Sequence, residues 1–323
     1  MDTRGVSQKK LSRARTVTSR LRVCPCIQAV CVRACVRRIF FGSKRSTHLS
    51  ASAMTMERVR IDEVGDHRLP DDEFLASFRL PQRGAGRLAA LHPLPREERI
   101  HFDEESHTYT YDGVLVPRSV TGLLHQFASD FNPQAALSAM KSGYEWESKR
   151  AELETQGLGT SDEDFIQRWA QNGRVSSARG TLLHFHAECL MNGIPVQEPH
   201  SVEFKQVQLL VEHLTNEMGL QPYRAEVCLY CAKLRCAGQA DVLLLDANGD
   251  IVVGDWKRIK TLKYENRYGQ LRYPLDHLDD CNWWLYSLQL NMYAYFLESE
   301  HDMRVSDMLL LLVHPDRATP EIV

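Results

Sequence analysis

The spacing of hydrophobic residues along the chain predicts an alternation of helices and strands. Short runs rich in β-branched, aromatic and other apolar residues predict strands at 107–114, 223–230, 237–245, 251–256 and 308–313. Apolar residues at helical spacing predict helices that begin at residue 179 and that cover 202–218 and 283–298. From residue 179 onward the predicted order is helix, helix, three strands, helix and strand, which indicates an α/β fold.

Turn and capping residues mark several boundaries of these elements. The Asp112-Gly113 pair predicts a tight turn within the first strand region. The Asn248-Gly249 pair predicts a hairpin between the third and fourth predicted strands. Ser119 or Thr121 is expected to cap a helix that follows the first strand region.

The composition of the chain divides it into three parts. Residues 1–56 form a basic leader, and residues 57–98 mix acidic residues with Pro and Gly, which predicts a linker or a loosely attached arm. Residues 99–323 are expected to form the folded domain. Within this domain, residues 133–172 predict two or three helices separated by Gly157-Leu158-Gly159.

The leader is strongly basic, whereas the rest of the chain is acidic. The chain has 39 Lys and Arg against 42 Asp and Glu; residues 1–50 hold 12 of the basic and one of the acidic residues, which leaves 27 basic and 41 acidic residues elsewhere. A basic, Ser-rich and nearly acid-free leader is typical of an organelle transit peptide, which predicts the mitochondrial matrix or another organelle. The alternatives are a disordered basic tail, or untranslated sequence upstream of Met54 or Met56, in a nuclear or cytoplasmic protein.

Composition disfavours two classes of protein. No apolar run approaches the roughly 18 to 20 residues that a membrane-spanning helix needs, so no membrane partner is expected. The nine cysteines are an odd number without the density of a disulfide scaffold, which indicates a reducing compartment. Cys228, Cys231 and Cys236 have a metal-like spacing, but strand alternation places the first two on opposite faces and no fourth cysteine is well spaced. We therefore expect no iron–sulfur cluster.

The acidic body excludes a broad basic coat, so contact with nucleic acid is expected to use a local basic strip and bridging metal ions. One such strip contains the basic residues between Lys257 and Lys263, together with Arg267 and Arg272. Three tyrosines are interleaved with it: Tyr264, Tyr268 and Tyr273. This mixture suits phosphate contacts and stacking on unpaired bases, and a solvated loop is the alternative.

Acidic residues on two predicted strands indicate a metal site. If Asp241 and Asp255 lie on neighbouring strands of a hairpin, both carboxylates converge on one cation such as Mg²⁺, which prefers oxygen ligands. Strand alternation places Lys257 on the same face as Asp255, where its amine can hold or help deprotonate an attacking water and stabilise charge on a phosphate. An isolated D-x-K tripeptide is usually a solvated ion pair. Its context, with His184 and Glu226 upstream, supports the metal site.

These motifs resemble those of the PD-(D/E)XK nuclease superfamily, within it the RecB-like branch that includes mitochondrial genome maintenance exonucleases and viral and algal nucleases. That branch combines the D-x-K strand with an upstream G-x-x-x-H helix, here Gly180–His184, and a downstream Q-x-x-x-Y helix, here Gln289–Tyr293. The resemblance covers about residues 100–323. It implies a restriction-endonuclease-like core with a mixed central β-sheet flanked by helices, and an N-terminal helical extension.

The resemblance also implies roles for individual residues. His184, Asp241 and Asp255 would bind Mg²⁺ or Mn²⁺, helped by the Trp256 carbonyl. Glu226 would support this site or a second ion, and Lys257 would be the catalytic lysine. Gln289 and Tyr293, one helical turn apart, would orient Lys257 and the substrate phosphate. The substrate-binding residues would be Arg258, Lys260, Lys263 and Tyr293.

The implied activity is hydrolysis of DNA, in an exonuclease-like manner on single strands or ends. RNA is an alternative substrate, and a helicase or a replication or repair protein is an expected partner. A catalytically inactive nucleic-acid-binding module with a nuclease-like fold is the alternative function, and an α/β interaction protein with coincidental motifs is a third. At the level of residues, His186 competes with His184 as a ligand, and Gln289 and Tyr293 could simply pack in a helix.

Overall fold

A mixed sheet of five strands lies at the centre of the computed structural model, which describes residues 70–81, 86–196 and 201–323. The strands are, in order across the sheet, β4 (Gln221–Cys231), β5 (Cys236–Leu245), β6 (Ile251–Arg258), β7 (Val305–Val313) and β8 (Glu321–Ile322). The β6–β7 pair is parallel and the other three pairs are antiparallel. The basic leader predicted at residues 1–56 lies outside the described residues.

Helices cover both faces of this sheet. The α-helices of the described residues are α1 (Asp71–Ser77), α2 (Arg87–Leu91), α3 (Val120–His125), α4 (Pro133–Lys141), α5 (Trp146–Thr155), α6 (Asp162–Asn192), α7 (Val202–Glu212) and α8 (Asn282–Glu300). One hydrophobic cluster joins α3 and α8 to one face, and a second joins α6 and α7 to the other. The predicted α/β class is therefore confirmed. None of the helices in the described residues is long and apolar enough to cross a membrane.

Two connections of the sheet follow from local sequence. Gly249 has a φ of +80°, and the Asn248-Gly249 pair turns the chain from β5 into the antiparallel β6, as predicted. A parallel pair needs a crossover, which α8 provides between β6 and β7. The order of elements predicted from residue 179 to residue 313 is confirmed, and β8 extends it by a short edge strand.

The helix α6 begins earlier than its hydrophobic pattern predicts. It starts at Asp162 rather than near Arg179, and it continues for 31 residues. The Ser161 hydroxyl accepts a hydrogen bond from the Asp164 backbone N–H, and the Asp164 carboxylate accepts one from the Ser161 backbone N–H. This capping box explains the early start, because it satisfies backbone donors that a helix start leaves without partners.

A second sheet of three strands, which we call the small sheet, precedes α3 and lies against β4. Its strands β1 (Ile100–Asp103), β2 (Thr108–Tyr111) and β3 (Val114–Leu115) pair antiparallel. Asp112 and Gly113 both have a positive φ, so the predicted turn is confirmed. Ser119 caps α3 by accepting a hydrogen bond from the Gly122 backbone N–H at 3.0 Å. The sheet is fixed to β4 by stacking of Tyr111 on Tyr230, with ring centroids 4.1 Å apart.

Two short helices, α1 and α2, lie within the segment predicted as a linker. The Arg179 guanidinium of α6 lies 4.2 Å from the centre of the Phe74 ring of α1. The Leu88 backbone N–H of α2 donates to Asn192 Oδ1 of α6 at 2.9 Å. Both helices therefore pack along α6, and α2 also packs directly against β4 of the central sheet.

Candidate functional site

Three polar side chains from different elements meet beside the central sheet. His184 lies on α6, Glu226 on β4 and Asp241 on β5. His184 Nδ1 is 3.3 Å from Glu226 Oε1 and 3.4 Å from Asp241 Oδ2. Ligand atoms from all three side chains lie within 4.8 Å of one another, so one cation could contact them all. We call these three residues the carboxylate–histidine group.

Asp241 is held in place by the neighbouring strand. Its Oδ2 accepts a hydrogen bond from the Trp256 backbone N–H of β6 at 2.7 Å. Burial raises the pKa of Asp241 to about 7, although the nearby His184 opposes this shift. A cation that replaces the proton would stabilise the ionised form of such a buried carboxyl group.

His184 shows that this site stabilises positive charge. Burial lowers the pKa of the imidazole, but Asp241 and Glu226 outweigh burial and raise the pKa to about 9. The imidazole therefore binds a proton at neutral pH. The carboxylates that stabilise this proton would also attract a metal ion.

Asp255 and Lys257 form an ion pair next to this group. Lys257 Nζ lies 2.6 Å from Asp255 Oδ2, and the Asp255 side chain is fully buried. Lys257 Nζ also lies 4.9 Å from the centre of the Tyr286 ring. Burial lowers the pKa of Lys257, but Asp255 and Asp241 raise it above its ordinary value. Lys257 is therefore an ammonium ion at neutral pH.

The predicted metal ligands come together in part. His184 and Asp241 belong to the carboxylate–histidine group, and Glu226 is its third member rather than Asp255. Asp255 instead pairs with Lys257. The competing His186 is buried and packs edge-on against Phe204 of α7, with ring centroids 5.6 Å apart. His184 is thus the histidine of α6 that lies at the site.

Gln289 and Tyr293 lie one turn apart on α8 and line the same cleft. Gln289 Nε2 donates a hydrogen bond to the Tyr293 hydroxyl oxygen at 3.2 Å. Burial raises the pKa of Tyr293 well above its ordinary value, so the phenol keeps its proton. Tyr293 packs closely on β5, because a Cβ atom on Gly238 would lie 2.7 Å from its Cε1.

The cleft that contains these groups has a volume of about 420 Å³. The small sheet and α6 supply wall residues that the sequence motifs did not indicate: Phe102, His107, Tyr109, Ser176, Ser177 and Thr181. Tyr286 of α8 is a further wall residue. Its position three residues before Gln289 placed it on the same helix face and could have revealed it. The small-sheet residues gave no such signal, since they reach the cleft from a distant part of the sequence.

The predicted basic strip reaches the cleft through Lys257 and Arg258. Arg258 lines the cleft and donates hydrogen bonds from Nε and Nη2 to Glu203 Oε1, at 3.1 and 3.0 Å. Lys260 pairs with Asp316 at 3.0 Å and its side chain is 66% exposed. Lys263 is exposed and is not among the residues that line the cleft. The three interleaved tyrosines are exposed: Tyr264, Tyr268 and Tyr273. One of them, Tyr264, already contacts the Trp283 ring, with ring centroids 5.1 Å apart.

Two cysteines of the β4–β5 hairpin, Cys231 and Cys236, are buried, and Cys228 is partly buried. Cys231 and Cys236 oppose each other across the hairpin. Burial raises the pKa of Cys231 to about 11 and that of Cys236 to about 12, so both are thiols at neutral pH. Cys228 packs in a different cluster from Cys231, in agreement with the predicted placement on opposite faces.

The carboxylate–histidine group fits a divalent cation by the chemistry of its donors. Carboxylate oxygens suit Mg²⁺ and Mn²⁺, and the softer imidazole nitrogen favours Mn²⁺ over Mg²⁺. Comparison with known proteins adds no family assignment, since no family model matches the chain and no curated protein matches it.

Proposed function

We propose that this protein is a divalent-metal-dependent nuclease that hydrolyses phosphodiester bonds of DNA. The observation that carries the proposal is the meeting, in one cleft, of the carboxylate–histidine group with the protonated Lys257. The proposal includes the finer fold assignment, a restriction-endonuclease-like core of the RecB-like branch. The antiparallel β4–β5–β6 meander, with its acidic residues and a parallel β7 beyond it, supports that assignment.

The carboxylate–histidine group would hold the metal ion. A divalent cation bound there supplies polarisation of a phosphoryl oxygen and lowers the pKa of a water molecule. Asp241 is oriented for this by the Trp256 backbone N–H, and His184 by the two carboxylates. The three side chains are thus already gathered, and a cation would displace the proton that His184 holds among them.

Lys257 would act as a cation rather than as a base. Its raised pKa keeps the amine protonated, so it donates hydrogen bonds and offsets the negative charge that develops on the phosphate. Asp255 and the Tyr286 ring hold the ammonium group at the cleft wall. Of the roles considered for this lysine, charge stabilisation and holding of the attacking water fit its protonation, and proton abstraction does not.

Gln289 and Tyr293 would bind the substrate phosphate from α8. The Tyr293 hydroxyl keeps its proton and accepts the hydrogen bond of Gln289, so its own O–H is available to a phosphate oxygen. Arg258 lies in the cleft wall, where its ion pair with Glu203 fixes the guanidinium in place.

Single strands or DNA ends are the proposed substrates. The cleft has a volume of about 420 Å³ and lies between the small sheet, α6 and α8, which suits an unpaired nucleotide better than a duplex. Phe102 from the small sheet, which stacks on the buried Tyr109, and Tyr286 from α8 place aromatic rings in its walls. Aromatic rings of this kind stack on unpaired bases.

Cleavage of end-labelled DNA by the full chain tests the proposal. Single-stranded and double-stranded substrates are incubated with Mg²⁺, Mn²⁺ or EDTA, with wild-type protein, Asp241→Asn and Lys257→Met. Lys233→Met is the matched control, because Lys233 is an exposed lysine of the β4–β5 turn, outside the residues that line the cleft. We expect metal-dependent cutting that both site variants abolish and that the control variant retains.

Two outcomes would overturn the proposal. Cutting that persists in both Asp241→Asn and Lys257→Met would place the chemistry elsewhere. DNA binding without cutting by the wild-type protein in either metal would instead support a catalytically inactive binding module.

A further inference from the structure

The backbone of Glu226 adopts a conformation that a strand residue rarely adopts. Its φ is +49°, in the left-handed region that is unfavourable for any residue with a Cβ atom, yet it lies in the middle of β4. Such a conformation persists only where surrounding contacts hold it, and residues of this kind concentrate at functional sites.

The side-chain faces of β4 are reversed at Glu226. The ladder pairs Ala225 with Val242 and Val227 with Ala240, and it passes over the position between them. Residues two apart on a regular strand share a face, but Ala225 packs with the α6–α7 cluster and Val227 belongs to the α3–α8 cluster. This reversal of the two faces at Glu226 directs its carboxylate toward His184.

Gln239 on β5 contacts the backbone of Glu226. Its side-chain Nε2 donates a hydrogen bond to the Glu226 carbonyl oxygen at 3.1 Å. A carbonyl that a strand ladder passes over needs another donor, and this amide supplies one. Gln239 lines the cleft but contributes no ligand atom to the carboxylate–histidine group.

We propose that Gln239 is a positioning residue, which holds the left-handed backbone of Glu226 and thereby aims the Glu226 carboxylate at the metal position. The inference rests on the proposed metal-binding function. It assigns to Gln239 a role that the sequence motifs did not indicate, because its contact is made through a backbone carbonyl.

Calorimetric titration of the full chain with Mn²⁺ tests the inference without use of cleavage activity. Gln239→Met keeps the length of the side chain and removes the amide donor. We expect Mn²⁺ affinity to fall by about tenfold, since loss of a partner that orients a metal ligand costs about 10- to 100-fold. Gln239→Leu removes the same donor and serves where the Met variant does not fold.

Gln206→Met is the matched structural control. Gln206 is a fully buried glutamine whose amide bonds the backbone of His314 and Arg317, away from the carboxylate–histidine group. We expect this variant to lower the melting temperature while its Mn²⁺ affinity stays within twofold of wild type. A general effect of glutamine loss on the fold would instead lower both quantities in both variants.

A double-mutant cycle separates positioning from any direct effect of Gln239. In a Glu226→Gln background the carboxylate is already gone, so Gln239→Met is expected to change Mn²⁺ affinity by less than about twofold. Equal losses in both backgrounds would overturn the inference, as would a Gln239→Met protein with wild-type affinity. Wild-type protein that binds no Mn²⁺ would overturn the proposed metal site and this inference with it.

Discussion

Lys257 and Asp255 form an ion pair of 2.6 Å in which the carboxylate is fully buried. The two residues lie on the same face of β6, two positions apart, and Trp256 between them packs into the opposite face of the sheet. A buried charge of this kind depends on its partner, because the protein interior cannot solvate it. The pair therefore links the catalytic proposal to the stability of the sheet.

Loss of the lysine alone should destabilise the protein. Lys257→Met leaves the Asp255 carboxylate buried without its partner, and we expect the free energy of unfolding to fall by about 3 kcal/mol. The double variant Lys257→Met with Asp255→Asn should recover most of this loss, because it removes both charges. Urea denaturation in EDTA measures each variant.

An exposed lysine provides the control for this prediction. Lys260 pairs with Asp316 at the surface, so Lys260→Met should change the free energy of unfolding by less than about 1 kcal/mol. A double variant that is less stable than Lys257→Met would contradict the view that uncompensated charge is the cause.

Without metal, the stability of the protein should fall as pH rises. The folded-state pKa of Asp241 is raised from 3.8 to about 7, and that of His184 from 6.5 to about 9. Both groups bind protons more tightly in the folded state. The stability that each group contributes is therefore fully present below its unfolded-state pKa and is lost as pH rises through its folded-state pKa. Melting temperatures in EDTA between pH 4 and about 10 measure this slope.

The variant His184→Gln should remove the part of this slope between pH 6.5 and about 9 that the imidazole contributes, while Asp241 continues to titrate. A melting temperature of the wild-type protein that is constant or rises over that interval would show that the two carboxylates do not stabilise the imidazolium.

Metal affinity should show the opposite dependence on pH. A cation binds the deprotonated imidazole and carboxylate, so it must displace the protons that His184 and Asp241 hold near neutral pH. We expect the apparent Mn²⁺ affinity to rise between pH 6 and pH 9, with release of protons on binding. Calorimetric titration in buffers of different ionisation enthalpy counts these protons, and binding without proton release would contradict the assigned ligands.

Local sequence predicted the part of the site that lies on one hairpin. Asn248-Gly249 fixed the turn between β5 and β6, and strand alternation then placed Asp255 and Lys257 on one face. These relations depend on residues close in sequence, for which turn chemistry and strand period are reliable guides. His184 came from a motif and not from the hydrophobic pattern, since α6 meets the sheet from a distant part of the chain.

The remaining features depend on contacts between distant residues. The reversal of faces at Glu226 could not be predicted from local sequence, because nothing in its neighbouring residues indicates a positive φ. Arg258 was predicted to bind substrate, and its bonds to Glu203 form across 55 positions of sequence. The small sheet over the cleft is a third such contact, which neither period nor spacing could indicate.

Two glycines of α6 allow stability and activity to be separated. A Cβ atom on either Gly173 or Gly180 would meet nothing within 4 Å. Replacement of a helix-interior glycine by alanine should therefore stabilise the protein by about 0.5–1 kcal/mol at both positions.

Gly180 lines the cleft, however, and Gly173 is not among the lining residues. We expect Gly180→Ala to raise the melting temperature but reduce cleavage of single-stranded DNA, because the added methyl group narrows the path of the substrate. Gly173→Ala should raise the melting temperature with unchanged cleavage. Equal cleavage rates for the two variants would show that the substrate does not pass close to α6 at Gly180.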